Sequence, residues 1–452
     1  MSRILLSLLL FCLVAGLHAQ QPALNAYVYD NDKAFKWNVA DSIRKDDVRI
    51  YTLRLVSQMW QGIPWIHELN IIVPDKVAHP EVLLHITGGS IEQDAEEPVY
   101  HKTDDYMIQA QSRIAHRCEA ITAILRQVPR QPLFGGKYED EIVSYTFHRF
   151  QQDGNPNWPL LFPMVKSVIK AMDAISQFST RIGNRFAADQ RFVLNGLSKR
   201  GWTTWLTAAT ADKRITAIAP MVIDILNMPV NVAYQQYMYG GYSEQINDYV
   251  SLGLTELVNS PDGKALVSLV DPFSYREKLK IPKMLFMGTN DEYWTVDAVK
   301  NYMDKLPGQL WISYVPNAGH NLGDKKAALN TLEAFFWQTI DGESYSSLSY
   351  KASGREKSIR LNIKPEKEQL RNAVLWEAVS ENKDFRKSQF VPHSLDINNK
   401  KNISIDISYP AKGYKAFFVM LEYTHPKGED TYNICTRMYT ASRNQLFDKP
   451  FK

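Results

Sequence analysis

The sequence predicts an α/β fold, a mostly parallel sheet with helices on both faces, followed by a β-sandwich-like appendage. Three observations carry this. Short apolar runs alternate with helix-length amphipathic segments through the middle of the chain. A lone serine sits between glycines where one such run meets a helix. After about Tyr345 helical periodicity gives way to strand-like runs.

The chain opens with MSRILLSLLLFCLVAGLHAQ, in which Arg3 supplies a positive start, Ile4 to Gly16 an apolar core and Leu17-His18-Ala19 a cleavage site. Residues 1–19 therefore read as a signal peptide, giving a mature chain from near Gln20 that is secreted or periplasmic. The apolar run is shorter than the roughly 18 to 20 residues a span needs. Cys12, preceded by Leu9-Leu10-Phe11, sits in a poor lipoprotein context. No stable membrane anchor is expected.

Residues 20–344 hold the α/β portion. VRIYTLRLVSQMW, PWIHELNIIVP and EVLLHIT read as strands, the last a near-continuous apolar run ending in Gly88-Gly89, as suits a strand buried on both faces. AITAILRQV, RFVLNG, ITAIAPMVI and IPKMLFMG then alternate with helical segments such as DYMIQAQSRIAHR and FPMVKSVIKAMDAISQF. Two excursions rich in aromatics, RQPLFGGKYEDEIVSYTFHRFQQDGNPNWPLL and NMPVNVAYQQYMYGGYSEQINDYV, read either as a cap over one end of the sheet or as plain aromatic packing. Residues 345–452 carry SIRLNIKP, NAVLWEAVS, ISIDISYP and YKAFFVMLEYTHP, with DTYNICTRMYT closing a hairpin.

With 452 residues, 45% of them hydrophobic, the chain is long enough for one large domain and a smaller one. Lysine and arginine number 52 against 49 acidic residues, and no basic run is dense enough for a nucleic-acid groove. The partner expected is a small molecule or short peptide held by site chemistry. Past the leader only Cys118 and Cys435 remain, too few for a disulfide scaffold, and they read as buried free thiols. The absence of a Walker loop, dinucleotide fingerprint or zinc-type His/Cys spacing argues against metal and nucleotide cofactors.

FVLNGLSKRGWTTWLTAA holds the chemistry. A nucleophile elbow needs a strand-turn-helix with small residues beside the serine, so that the hydroxyl projects above the sheet. Gly196 stands two before Ser198, and the following glycine is displaced to Gly201 by Lys199 and Arg200. The competing reading is an ordinary helix N-cap. In an α/β-hydrolase the acid and then the base follow the serine along the chain, each after a later strand. Asp291 in KMLFMGTNDEYW and His320 in QLWISYVPNAGHNLG meet that order, with His320 as base and Asp291 as its orienter. Asp224, in PMVIDILN, is the alternative acid or a buried partner for Arg200, and Asp297 is a weaker alternative. Backbone donors to an oxyanion are expected from Lys199 and from Gly88 or Gly89.

Three further groups invite a substrate-binding role. Asp94, Glu96 and Glu97 follow the glycine loop and would hold a peptide's free amino group, or form a solvated acidic loop. Glu139, Asp140 and Glu141 invite the same pair of readings. Lys199 and Arg200 would fork a substrate carboxylate, or brace the elbow through salt bridges.

The string S-K-R-G-W-T-T-W, together with HITGG, EDEIVSYTFHRF, WPLLFPMVKSVIKAMDAI, APMVIDILN, GTNDEYW and NAGHNL, resembles the PhoPQ-activated pathogenicity-related protein family, to which the autocrine proliferation repressor proteins of amoebae are also similar. The resemblance spans nearly the whole mature chain and implies a secreted α/β-hydrolase with a C-terminal β domain, the Lys-Arg insertion belonging to the family's own motif. Its autocrine members are associated with extracellular signalling and with dipeptidyl-peptidase-like activity. The expectation is therefore serine hydrolysis of an acyl bond, leaning to peptides, with a signalling or binding protein on the same fold as the alternative. A serine followed by a basic residue and a displaced glycine is also similar to the glucuronoyl esterases. A carbohydrate ester, with Trp376 exposed on a sugar-binding appendage, is thus a second alternative.

Overall fold

The computed structural model describes residues 22–92, 95–342, 345–366, 369–397 and 402–452. The leader and Asp94 lie outside the described residues, as do 343–344 at the join between the two predicted parts.

The N-terminal strands form an antiparallel wing: β1 (Lys36–Lys45), β2 (Val48–Trp60) and β3 (Ile63–Pro74). Then come β4 (Glu81–Ile86), β5 (Ile121–Leu125), β6 (Arg191–Leu197), β7 (Ile215–Met221), β8 (Lys283–Gly288) and β9 (Leu310–Val315). These pair in the order β1-β2-β3-β5-β4-β6-β7-β8-β9, with β3 antiparallel to β5 and every neighbouring pair from β5 to β9 parallel. Parallel strands need crossovers on the sheet faces, so β4, β5 and β8 are buried at every position and read as near-continuous apolar runs, interrupted by Glu81 and His85, Thr122 and Lys283.

Helices α1 (Pro22–Val28), α2 (Tyr106–Cys118), α3 (Glu139–Asp153), α4 (Leu161–Arg181), α5 (Lys199–Ala209), α6 (Met228–Tyr239), α7 (Pro261–Val270) and α8 (Lys326–Ile340) surround the sheet. Asp105 caps α2 through its carboxylate, and Ser260 caps α7 through its hydroxyl ahead of a proline in the first turn. Helices α3 and α6 come over the end of β6, while Phe134, Tyr145 and Trp158 cluster with Trp60 at ring separations of 5.1 to 6.5 Å.

The C-terminal strands β10 (Leu348–Gly354), β11 (Ser358–Pro365), β12 (Leu370–Ser380), β13 (Val391–Ser394), β14 (Ile403–Ser408), β15 (Tyr414–Thr424), β16 (Thr431–Cys435), β17 (Tyr439–Ser442) and β18 (Gln445–Leu446) form two layers. One layer is β10-β11-β14; the other contains β16-β15-β12-β13 and continues the main sheet, because Cys435 of β16 faces Ile312 of β9. Ile359, Leu361 and Ile363 pack against Phe417, Val419 and Leu421 between the layers. Trp376 is partly buried against the main core with its indole nitrogen buried, which favours a structural role over a flat sugar platform. Cys118 and Cys435 are free and buried.

Candidate active site

Strand β6 stops at Leu197 and α5 starts at Lys199, leaving Ser198 alone in the turn with φ 57° and ψ −124°. A non-glycine residue adopts that conformation only when its surroundings over-determine it. The Ser198 amide donates to the Met221 carbonyl at 2.9 Å and its carbonyl accepts from the Trp202 amide at 2.9 Å. Its hydroxyl makes no helix-capping bond, which removes the N-cap reading.

Both glycines of the motif are there for space. A Cβ on Gly196 would lie 2.7 Å from the Arg200 carbonyl oxygen, and one on Gly201 would lie 2.8 Å from the Met221 carbonyl oxygen and 3.0 Å from that of Gly196. Gly201 therefore lets α5 approach the end of β7 closely, and the displaced spacing still serves helix-on-strand packing.

Asp291 and His320 arrive on the turns after β8 and β9. His320 Nε2 is 2.8 Å from Ser198 Oγ, and its Nδ1 is 2.9 and 3.0 Å from the two Asp291 oxygens. Asp291 is 6% exposed and also accepts from the Tyr293 amide at 2.8 Å. Burial raises its pKa, against the pull of His320. Glu292 accepts from the His320 amide at 2.9 Å, and the Tyr293 ring lies 4.1 Å from the imidazole. Glu292 and Tyr293 were missed in the sequence reading, although their adjacency to Asp291 was the available signal.

The remaining candidates separate cleanly. Asp224 touches neither His320 nor Arg200; burial pushes its carboxyl up to about 8, and a neutral acid is unsuited to stabilising an imidazolium. Asp297 is buried between Lys300 at 2.6 Å, Thr440 at 2.7 Å and Tyr234 at 2.9 Å. Glu96 and Glu97 are exposed and tied to Arg54, Glu96 through its carbonyl and Glu97 by a 3.1 Å ion pair. They do not line the cavity beside Ser198, which corrects their reading as substrate ligands. Glu141 is occupied by Lys137 at 2.8 Å.

The basic pair after the serine is a brace. Arg200 donates to both Glu139 oxygens at 2.6 and 2.7 Å and to the Val128 carbonyl, while Lys199 Nζ meets Asp140 at 2.6 Å. Neither cation is left over to fork a substrate carboxylate, which corrects Arg200 as a binding residue. Burial works most strongly against the Glu139 carboxylate, but the charge and hydrogen bonds of Arg200, with Lys199 and Gln131, together outweigh it and hold the pKa at about 2.

Strands β4 and β6 are parallel neighbours with Ile86 opposite Gly196, so the Gly88-Gly89 loop and the Ser198 turn leave the sheet at the same end. A Cβ on Gly88 would collide with the Arg200 guanidinium. Gly89, at φ 132°, turns the chain against Gln127. The Lys199 amide is in the first turn of α5, where N–H groups have no helical acceptor.

A cavity of about 80 Å³ opens beside Ser198 under α3, α6 and α7. Its walls are almost wholly aliphatic and aromatic, with Asp140 and Lys199 on its border.

The sheet order and the serine turn define an α/β-hydrolase fold. The sequence model of the PhoPQ-activated pathogenicity-related protein family matches residues 24–386, and the chain belongs to that family. Autocrine proliferation repressor protein A of Dictyostelium discoideum is 31% identical over 466 residues, covering 95% of this chain and 92% of its own length. Among solved structures, acetyl xylan esterase 1 from Thermoanaerobacterium sp. JW/SL YS485 is 13% identical with a TM-score of 0.45, covering 67% of this chain and 88% of that one. An S-formylglutathione hydrolase from Agrobacterium tumefaciens is 12% identical with a TM-score of 0.43, covering 67% and 99%.

Proposed function

We propose that the protein is an exported serine hydrolase that cleaves an acyl bond, ester or peptide, through an acyl-enzyme on Ser198. The observation that carries this is the chain Ser198–His320–Asp291, with 2.8 Å from Oγ to Nε2 and 2.9 Å from Nδ1 to the carboxylate, built on a strained turn. His320 takes the Ser198 proton as the hydroxyl oxygen attacks the acyl carbon, and Asp291 holds the ring and stabilises the imidazolium. The Lys199 amide and that of Gly88 or Gly89 receive the oxyanion. His320 then protonates the leaving group, and water, activated by the same nitrogen, releases the acid. The leader-like residues 1–19 support export.

Labelling with a fluorophosphonate, read by peptide mapping, tests the reading. An adduct on Ser198 that is lost in Ser198→Ala is expected. A folded protein that takes no label at any pH between about 6 and 9 would overturn it.

A further inference from the structure

We infer that the cavity beside Ser198 is the acyl pocket, and that it selects an uncharged, apolar acyl group of roughly five to eight non-hydrogen atoms. This rests on Ser198 being the nucleophile. Three observations lead to it.

The first is position. Ser198 lines the cavity and His320 does not. The leaving group must lie where His320 Nε2 can reach it with a proton, which leaves the cavity, walled off from the imidazole by Tyr293, to receive the acyl chain.

The second is the wall. Phe147 of α3, Trp202 of α5, Ile223 after β7, Val232 of α6, Leu254 between α6 and α7, and Leu266 of α7 present carbon to the space. Every element of the cap contributes, and an apolar chain gains from leaving water for such a surface.

The third is charge. The two charged groups bordering the cavity are already joined to each other, Lys199 to Asp140, and Asp140 further accepts from the hydroxyls of Tyr249 at 2.9 Å and Tyr293 at 3.3 Å. A charged acyl chain would enter without a counter-charge and carry the full cost of desolvation. Gln151 adds a neutral donor, its Nε2 buried without an acceptor, which admits a carbonyl within the chain but supplies no charge. The volume sets the length, since each water-sized unit takes about 10 to 15 Å³.

The test is a series of p-nitrophenyl esters on the full mature chain: acetate, butyrate, hexanoate, dodecanoate and the carboxylate-bearing hemisuccinate. The expected result is kcat/KM rising about fourfold per methylene up to hexanoate, falling at dodecanoate, with hemisuccinate no better than acetate. Val232→Phe should lower the hexanoate-to-acetate ratio at least tenfold, and Leu254→Ala should shift the optimum to a longer chain. Labelling of Ser198 by a small fluorophosphonate is measured on each protein, because it reads the nucleophile and not the pocket. Labelled enzyme with a flat chain-length series, or ratios unmoved in both variants, overturns the pocket and leaves the nucleophile standing. Neither label nor hydrolysis of any ester overturns both.

Discussion

Lys199 and Asp140 form an ion pair of 2.6 Å that ties the residue after Ser198 to the first turn of α3, the helix that roofs the cavity. Glu139 makes the parallel tie to Arg200 at 2.6 and 2.7 Å. Three consecutive acids thus open a helix whose N-terminus favours negative charge, and two of them reach the elbow. Helix α3 and the Ser198 turn are one electrostatic unit.

Glu139→Gln should destabilise the protein by about 1 to 3 kcal/mol at pH 7, less than a fully buried pair would lose because Glu139 keeps 37% of its side-chain surface in solvent. Its pKa is held at about 2, below the unfolded value, so its contribution is complete above about pH 4.5 and fades as pH falls towards 2. Urea unfolding of both proteins across that window should show the difference narrowing on acidification. A difference that stays constant would separate the stability of Glu139 from its charge.

Asp291→Asn keeps the shape of the side chain and removes the charge that faces His320. The loss in kcat should be about 10³- to 10⁴-fold, with the fold intact by circular dichroism. Asp224→Asn should leave activity within a few-fold, since Asp224 lies off the imidazole. Ester hydrolysis by the two variants, side by side, decides between the two acids.

The same Asp224→Asn variant should be more stable than the parent. Its folded pKa, about 8, lies above the unfolded value, so between about pH 4 and 8 folding must protonate a carboxylate that is ionised in the unfolded chain. That cost grows by up to about 1.4 kcal/mol per pH unit across the window. Melting temperatures at pH 4 and pH 8 should therefore diverge in favour of the variant.

Gly288→Ala should damage activity through the His320 loop. Gly288 ends β8, and a Cβ there would collide with the carbonyl oxygens of Ala318 and Gly319, two and one residues before the histidine. These are backbone atoms and give way only by moving the loop. A displacement of about 1 Å is enough for a 10²-fold loss in kcat, and the imidazole resonances of His320 should shift with it.

Much of this was legible because local pattern and burial coincide. VRIYTLRLVSQMW became β2 residue for residue, and the elbow, Asp291 and His320 each stood at the end of an apolar run that the sheet then buried. Strand β1 was overlooked because its positions are mostly exposed and carry no apolar period. Glu96 and Glu97 were indistinguishable from Asp140 in sequence, each an acid in a polar stretch. What separates them is the docking of α3 onto the elbow, a contact 59 residues away along the chain that no local pattern encodes. The apolar pocket was hidden for the same reason, its walls being drawn from segments that alternate with loops over more than a hundred residues.

The pairing of Cys435 with Ile312 makes β9 an interior strand. A chain cut after α8 would leave its outer backbone N–H and C=O groups unpaired along an apolar strand, which is a template for intermolecular pairing. The α/β part cut off at that point is expected to self-associate through β9 more readily than the full chain, and light scattering of the two proteins checks it.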